Sequence, residues 1–160
     1  MSSTDKPETI TGGCVCASVR YTVTFPPDHD FANSTHTYTH TPSQCTTCQC
    51  EQCRKNTGSL IFRSHRLPKS AVEYTAKSTL KVYSATPHCE RGFCTNCGSF
   101  LFWQRDNRDY TCLTVGCFDG PALERYGPLL TAAKRHLFCE REVPGVTDHL
   151  AGERFAQDDE

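Results

Sequence analysis

Apolar and polar residues along this chain alternate in short runs, and the repeat is two residues rather than the 3.6 of a helix. Ser18 to Phe25 puts Val19, Tyr21 and Val23 on one face, and Leu60 to Arg63, Leu80 to Tyr83, Ser99 to Trp103 and Lys134 to Cys139 are shorter runs of the same kind. Tyr110 to Phe118 sets Cys112 and Thr114 opposite Leu113 and Val115, and Asp119-Gly120-Pro121 then turns the chain. Helix is limited to a turn or two after Cys50 and another between Pro121 and Tyr126, because no long stripe of helical period is present. A mainly β fold with minor short helices is the expectation. Pro26 to Gln44, rich in Thr, His and Pro, reads as a long loop or extended hairpin. Residues 1–11 are expected to be a flexible amino-terminal segment, 12–150 a single domain, and 151–160 a polar, fraying tail.

A length of 160 residues suits one domain with a sizeable core. Seventeen basic and eighteen acidic side chains nearly cancel, and no Lys/Arg stripe marks the footprint of a nucleic-acid binder. The opening MSSTDKPETI lacks an apolar signal core, and no stretch approaches the roughly 20 apolar residues of a membrane helix. A soluble, cytoplasmic protein without nucleic-acid or membrane partners is therefore expected, and a homodimer stays open.

Twelve cysteines change the picture. A disulfide framework is one reading, but a reducing compartment disfavours it, and cysteines two or three residues apart rarely pair without strain. Metal is the better reading. Cys14 and Cys16, two apart in an extended segment, present both sulfurs to one side, and Cys94-Thr95-Asn96-Cys97-Gly98 supplies a complementary knuckle in which Gly98 permits a positive φ. Four sulfurs would cage a structural zinc and staple the amino-terminal strand to the middle of the chain. The alternative, two buried small side chains at Cys14 and Cys16, carries no chemistry. Cys48, Cys50 and Cys53 pack three more sulfurs into six residues. Three thiolates leave zinc one exchangeable position and a better Lewis acid than four do, so these residues are the candidate catalytic set. Arg54 and Lys55 follow directly and could grip a substrate carboxylate or be plain solvated charge. Cys45 forms its own Cys-x-x-Cys pair with Cys48 and could close the second site, making it structural. Of seven histidines, His136 ranks first as a pocket residue. Seven thiolates and two zinc ions would move the formal charge from -1 by -7 + 4 to about -4.

Three ordered motifs, Gly12-Gly13-Cys14-Val15-Cys16-Ala17-Ser18-Val19-Arg20-Tyr21, then Cys48-x-Cys50-x-x-Cys53-Arg54-Lys55-x-x-Gly58-Ser59, then Arg91-Gly92-Phe93-Cys94-x-x-Cys97-Gly98-Ser99, resemble the glutathione-dependent formaldehyde-activating enzymes, a family that also contains centromere protein V. Thr114 to Asp119 and His136-Leu137-Phe138 continue the resemblance. It implies a β-tent of small antiparallel sheets, a structural zinc on Cys14, Cys16, Cys94 and Cys97, and a second zinc on Cys48, Cys50 and Cys53. It also implies a carbon–sulfur lyase that joins glutathione, as co-substrate, to formaldehyde, or that acts on another small-molecule thiol adduct. Pro26 to Gln44, Cys45 and Cys89 depart from the pattern. The competing reading is a zinc-stabilised binding module with both metals structural. Phe62, Phe93, Phe102, Trp103 and Phe118 flank the cysteine motifs and could wall water away from the site or be plain core. Cys112, Cys117 and Cys139 read as buried residues rather than ligands.

Overall fold

The computed structural model describes residues 6–31 and 45–158. Most of the Pro26 to Gln44 stretch, with His36 and His40, lies outside the described residues. In chain order the elements are β1 (Thr9–Gly13), β2 (Val19–Thr24), β3 (Cys45–Cys48), α1 (Glu51–Thr57), β4 (Phe62–Pro68), β5 (Val72–Lys77), β6 (Leu80–Thr86), β7 (Cys89–Cys94), β8 (Phe100–Arg105), β9 (Tyr110–Thr114), α2 (Gly120–Thr131), β10 (Arg135–Leu137) and β11 (Glu153–Arg154). The mainly β class is as expected. A three-stranded sheet is ordered β1-β2-β5, and an eight-stranded sheet is ordered β11-β10-β3-β4-β9-β8-β7-β6. Most pairings are antiparallel, but β10 runs parallel to both β3 and β11.

Period two divides the large sheet into a core face and a site face. Leu67, Phe102 and Leu113 turn inward and join Ile10, Tyr21 and Val23 of the small sheet in one buried cluster with Phe25, Phe31, Phe118 and Leu130. Gly92 sits opposite Phe102 in the β7–β8 register, and a Cβ there would lie 2.1 Å from the Phe102 ring. The missing side chain is what lets the ring lie flat across β7. Gly92→Ala is expected to cost about 1–3 kcal/mol, the usual range for overpacking, and to lower the thermal midpoint accordingly.

His65 is fully buried in this core, and its Nδ1 lies 3.0 Å from the Leu130 carbonyl. That contact makes Nδ1 the donor, so His65 Nε2 accepts from His29 Nε2, 2.9 Å away. Burial holds both imidazoles neutral, pushing each down to about 4.

Four differences from the sequence-based expectation have physical causes. Thr9 to Gly13 is a strand although part of it falls in the segment expected to be flexible, because Ile10 pairs with Val23 and is buried. α2 runs to Thr131 rather than ending near Tyr126: Pro128 breaks the pattern, but His65 donates to the Leu130 carbonyl and Arg63 to that of Thr131, so β4 satisfies the free carbonyls at the helix end. The run from Tyr110 leaves the strand at Thr114, and Val115–Cys117 forms a 3-10 turn. Within the expected frayed tail, Glu153 and Arg154 pair with Arg135 and His136.

Candidate functional site

The first cysteine cluster joins two hairpin tips. Cys14 and Cys16 lie in the β1–β2 turn, where Ala17 takes φ 61°, while Cys94 ends β7 and Cys97 lies in the β7–β8 turn, where Gly98 takes φ 77°. All four sulfurs lie within 4.8 Å of one another. Cys14 to Cys16 is 3.5 Å and Cys16 to Cys94 is 3.7 Å. Zinc bound at about 2.3 Å in a tetrahedron spaces its sulfurs about 3.8 Å apart, so the set fits the ion. The Val19 amide donates to Cys14 Sγ at 3.2 Å, and the hydroxyls of Ser18, Thr79 and Ser99 sit 3.4, 3.1 and 3.3 Å from the sulfurs of Cys16, Cys94 and Cys97. The Val19 amide, and the Thr79 and Ser99 hydroxyls when they donate, offset the negative charge of a four-thiolate site. The Ser18 hydroxyl also pulls the Cys16 thiol down to about 5, whereas burial pushes Cys14 up to about 11.

The second cluster is built on the β3–α1 junction. Cys48 ends β3, Cys50 is the N-cap of α1, and Cys53 sits in the first helical turn, its amide donating to Cys50 Sγ at 3.4 Å. The three sulfurs also lie within 4.8 Å of one another, and among the described residues no fourth His, Cys, Asp or Glu donor joins them. Hydrogen bonds from Cys48 and then Cys53 hold Cys50 as a thiolate, down to about 2. Its hydrogen bond to Cys50 pushes Cys48 up to about 12, and hydrogen bonds to Cys48 and Cys50 push Cys53 up as well.

These three cysteines border a cavity of about 400 Å³ whose floor is the site face of the large sheet. Cross-strand register assembles that floor. Cys48 pairs with Phe62, Arg66 with Cys112, Cys112 with Trp103, Trp103 with Arg91, and Cys89 with Arg105. Phe62 and Phe100 pack edge to face beside Cys53, ring centroids 5.3 Å apart, and Trp103 packs against the same group. One flank of the triad is thus dry. The other is basic: Arg66, Arg91, Arg105 and Arg141 all line the cavity.

A family model described as glutathione-dependent formaldehyde-activating enzyme matches residues 9–141. The chain belongs to this family. A crystal structure of a Rhodobacter sphaeroides protein is similar in fold, with a TM-score of 0.52 at 20% identity over 69% of this chain and 89% of that one. No curated protein matches the chain significantly. No helix among the described residues is long and apolar enough to cross a membrane.

For this family member the structure separates the ligand candidates by strand parity. Cys45 lies three residues before Cys48 on the same strand, faces the opposite side, is fully buried, and is not part of the second cluster. Cys45→Ala should leave zinc stoichiometry unchanged and cost about 1–2 kcal/mol, the loss expected from a buried small apolar side chain; elemental analysis and thermal melts check both.

The basic groups expected from the sequence are not the ones at the cavity. Lys55 is exposed and pairs with Glu51 at 2.7 Å, and neither it nor Arg54 lines the space. His136 is buried elsewhere: Nδ1 accepts from the Thr47 hydroxyl at 2.7 Å and Nε2 donates to the Ala151 carbonyl at 3.2 Å, so both nitrogens are spent on tying β3 and the segment before β11 to β10. The cavity arginines are far apart in sequence, with Arg66 on β4, Arg91 on β7, Arg105 on β8 and Arg141 in a 3-10 turn after β10. Their only local signal is a two-residue spacing, Phe62, Ser64, Arg66 on β4 and Cys89, Arg91 on β7.

Proposed function

We propose that the chain is a zinc-dependent carbon–sulfur lyase acting on a thiol adduct of the S-hydroxymethylglutathione type. The observation that carries this reading is the three-sulfur cluster, joined by no fourth His, Cys, Asp or Glu donor among the described residues and set at the edge of a cavity. Cys48, Cys50 and Cys53 would hold the zinc, which would supply Lewis acidity that lowers the pKa of an incoming thiol. In the forward direction the sulfur bonds to the carbonyl carbon of formaldehyde, the carbon–oxygen π bond opens, and the thiol proton ends on the oxygen. The reverse direction breaks the carbon–sulfur bond and returns the proton to sulfur.

The chain's own residues prepare this exchange. The Cys50 cap and the buried Cys53 fix two sulfurs to a rigid helix start, Cys48 fixes the third to β3, and Phe62, Phe100 and Trp103 keep one flank free of water. With the Cys14, Cys16, Cys94 and Cys97 cage, two zinc ions per chain follow.

The test is exchange spectroscopy by carbon-13 NMR on formaldehyde and glutathione. Zinc-loaded protein is expected to raise the exchange rate between free formaldehyde and the hydroxymethyl thioether well above the buffer rate. A rate equal to buffer contradicts the reading. Cys45, which would have made the second site structural in the binding-module alternative, is not part of the cluster.

A further inference from the structure

Arg91 is 4% exposed, yet it spends little of its hydrogen-bonding capacity: Nη2 donates to Gln52 Oε1, whereas Nε and Nη1 are buried without a partner. A buried guanidinium in that state carries a desolvation cost that an incoming acceptor would relieve. Its position is set by the sheet, opposite Trp103 on the cavity floor, and it borders the same cavity as the cysteine triad. Gln52 is an exposed residue of α1 whose amide is also engaged by Thr86, with Nε2 to Oγ1 at 3.2 Å, so it stands at the cavity wall as a neutral placeholder on Arg91. The wall also receives a carboxylate of the chain itself, because Asp158 lies 4.0 Å from Arg105.

We infer that Arg91 is the specificity-determining residue for a carboxylate on the thiol substrate, an inference that rests on the lyase reading for the identity of the thiol. One carboxylate oxygen takes the place of Gln52 Oε1 on Nη2, and the other reaches Nη1, giving the two-pronged pairing that a guanidinium offers and an ammonium does not. Cys48, Cys50 and Cys53 then meet the sulfur while Arg91 holds the acid. The substrate class is an acidic thiol or its carbon adduct, not a neutral one.

Two thiols that differ only in the carboxylate, N-acetylcysteine and N-acetylcysteamine, test this by calorimetric titration of the zinc-loaded protein. Wild type is expected to bind the acid at least about tenfold more tightly, the size of a charge-assisted pair, and Arg91→Gln should bring the two within about twofold. Arg91→Lys, which keeps the charge but not the fork, should fall between them. Zinc content and thermal midpoint verify that each variant is folded, and if Arg91→Gln does not fold, the Arg91→Lys comparison decides, with an undiminished preference counting against the inference. Equal binding of both thiols by wild type, or a preference that survives in Arg91→Gln, overturns it. If neither thiol binds, the lyase reading has failed, and the thioether S-methyl-N-acetylcysteine decides the carboxylate site alone: at least about tenfold weaker binding to Arg91→Gln sustains the inference, and equal or absent binding overturns it.

Discussion

Replacing Cys94 by serine should unfold the chain. Cys94 is fully buried at the end of β7, takes a hydrogen bond from Thr79, and belongs to the four-sulfur cage that joins the β1–β2 hairpin to the β7–β8 hairpin. Its two cysteine pairs are roughly eighty residues apart in sequence, so the contact closes a long loop at an entropic cost the metal must offset. A structural zinc contributes on the order of 10 kcal/mol in small domains, against a net stability of about 5–15 kcal/mol for a folded protein. Losing one ligand leaves too little to hold the two sheets together. The far-UV circular dichroism of Cys94→Ser is therefore expected to show no cooperative melt at 25 °C, and a chelator should do the same to wild type. A cooperative melt close to that of wild type would show that the sheets hold without the staple.

Cys50→Ser should do the opposite, keeping the fold and losing the chemistry. Cys50 is the N-cap of α1, and its sulfur accepts the Cys53 amide. Serine is among the best N-cap residues, so the helix start survives the exchange while a soft metal ligand is replaced by a poor one. Zinc should fall from two ions per chain to one, the thermal midpoint should move little, and turnover should drop by at least about 100-fold, since Lewis-acid assistance is worth several kcal/mol. Full turnover in a one-zinc variant would remove the second metal from the reaction.

How far the sequence could be read depended on whether a feature is local. The cysteine sets were legible because Cys14/Cys16, Cys94/Cys97 and Cys48/Cys50/Cys53 are each defined by a spacing of two or three residues, and the first two pairs read as complementary halves of one four-sulfur cage. The β2 run was legible for a similar reason, having Val19, Tyr21 and Val23 at period two.

Features made by pairing distant strands were not. β1 has a single strongly apolar residue, Ile10, and becomes a strand only because β2 lies beside it. The Arg66, Cys112, Trp103, Arg91 row crosses four strands, so no window of sequence contains it. Arg54 and Lys55 adjoin Cys53 in sequence, yet neither lines the cavity that the sulfurs border. A histidine in a buried strand carries the same sequence signal whether it serves a ligand or, as His136 does, the Thr47 hydroxyl and the Ala151 carbonyl.

X-ray absorption at the zinc edge, recorded on wild type and Cys50→Ser with and without glutathione, bears most directly on the three-sulfur site. Subtracting the four-sulfur contribution of the first cage, the second zinc of wild type should show three sulfurs and one lighter neighbour, with a fourth sulfur replacing that neighbour when glutathione is added, and Cys50→Ser should show neither. Four sulfurs before any thiol is added, or a coordination shell that glutathione leaves unchanged, would contradict it.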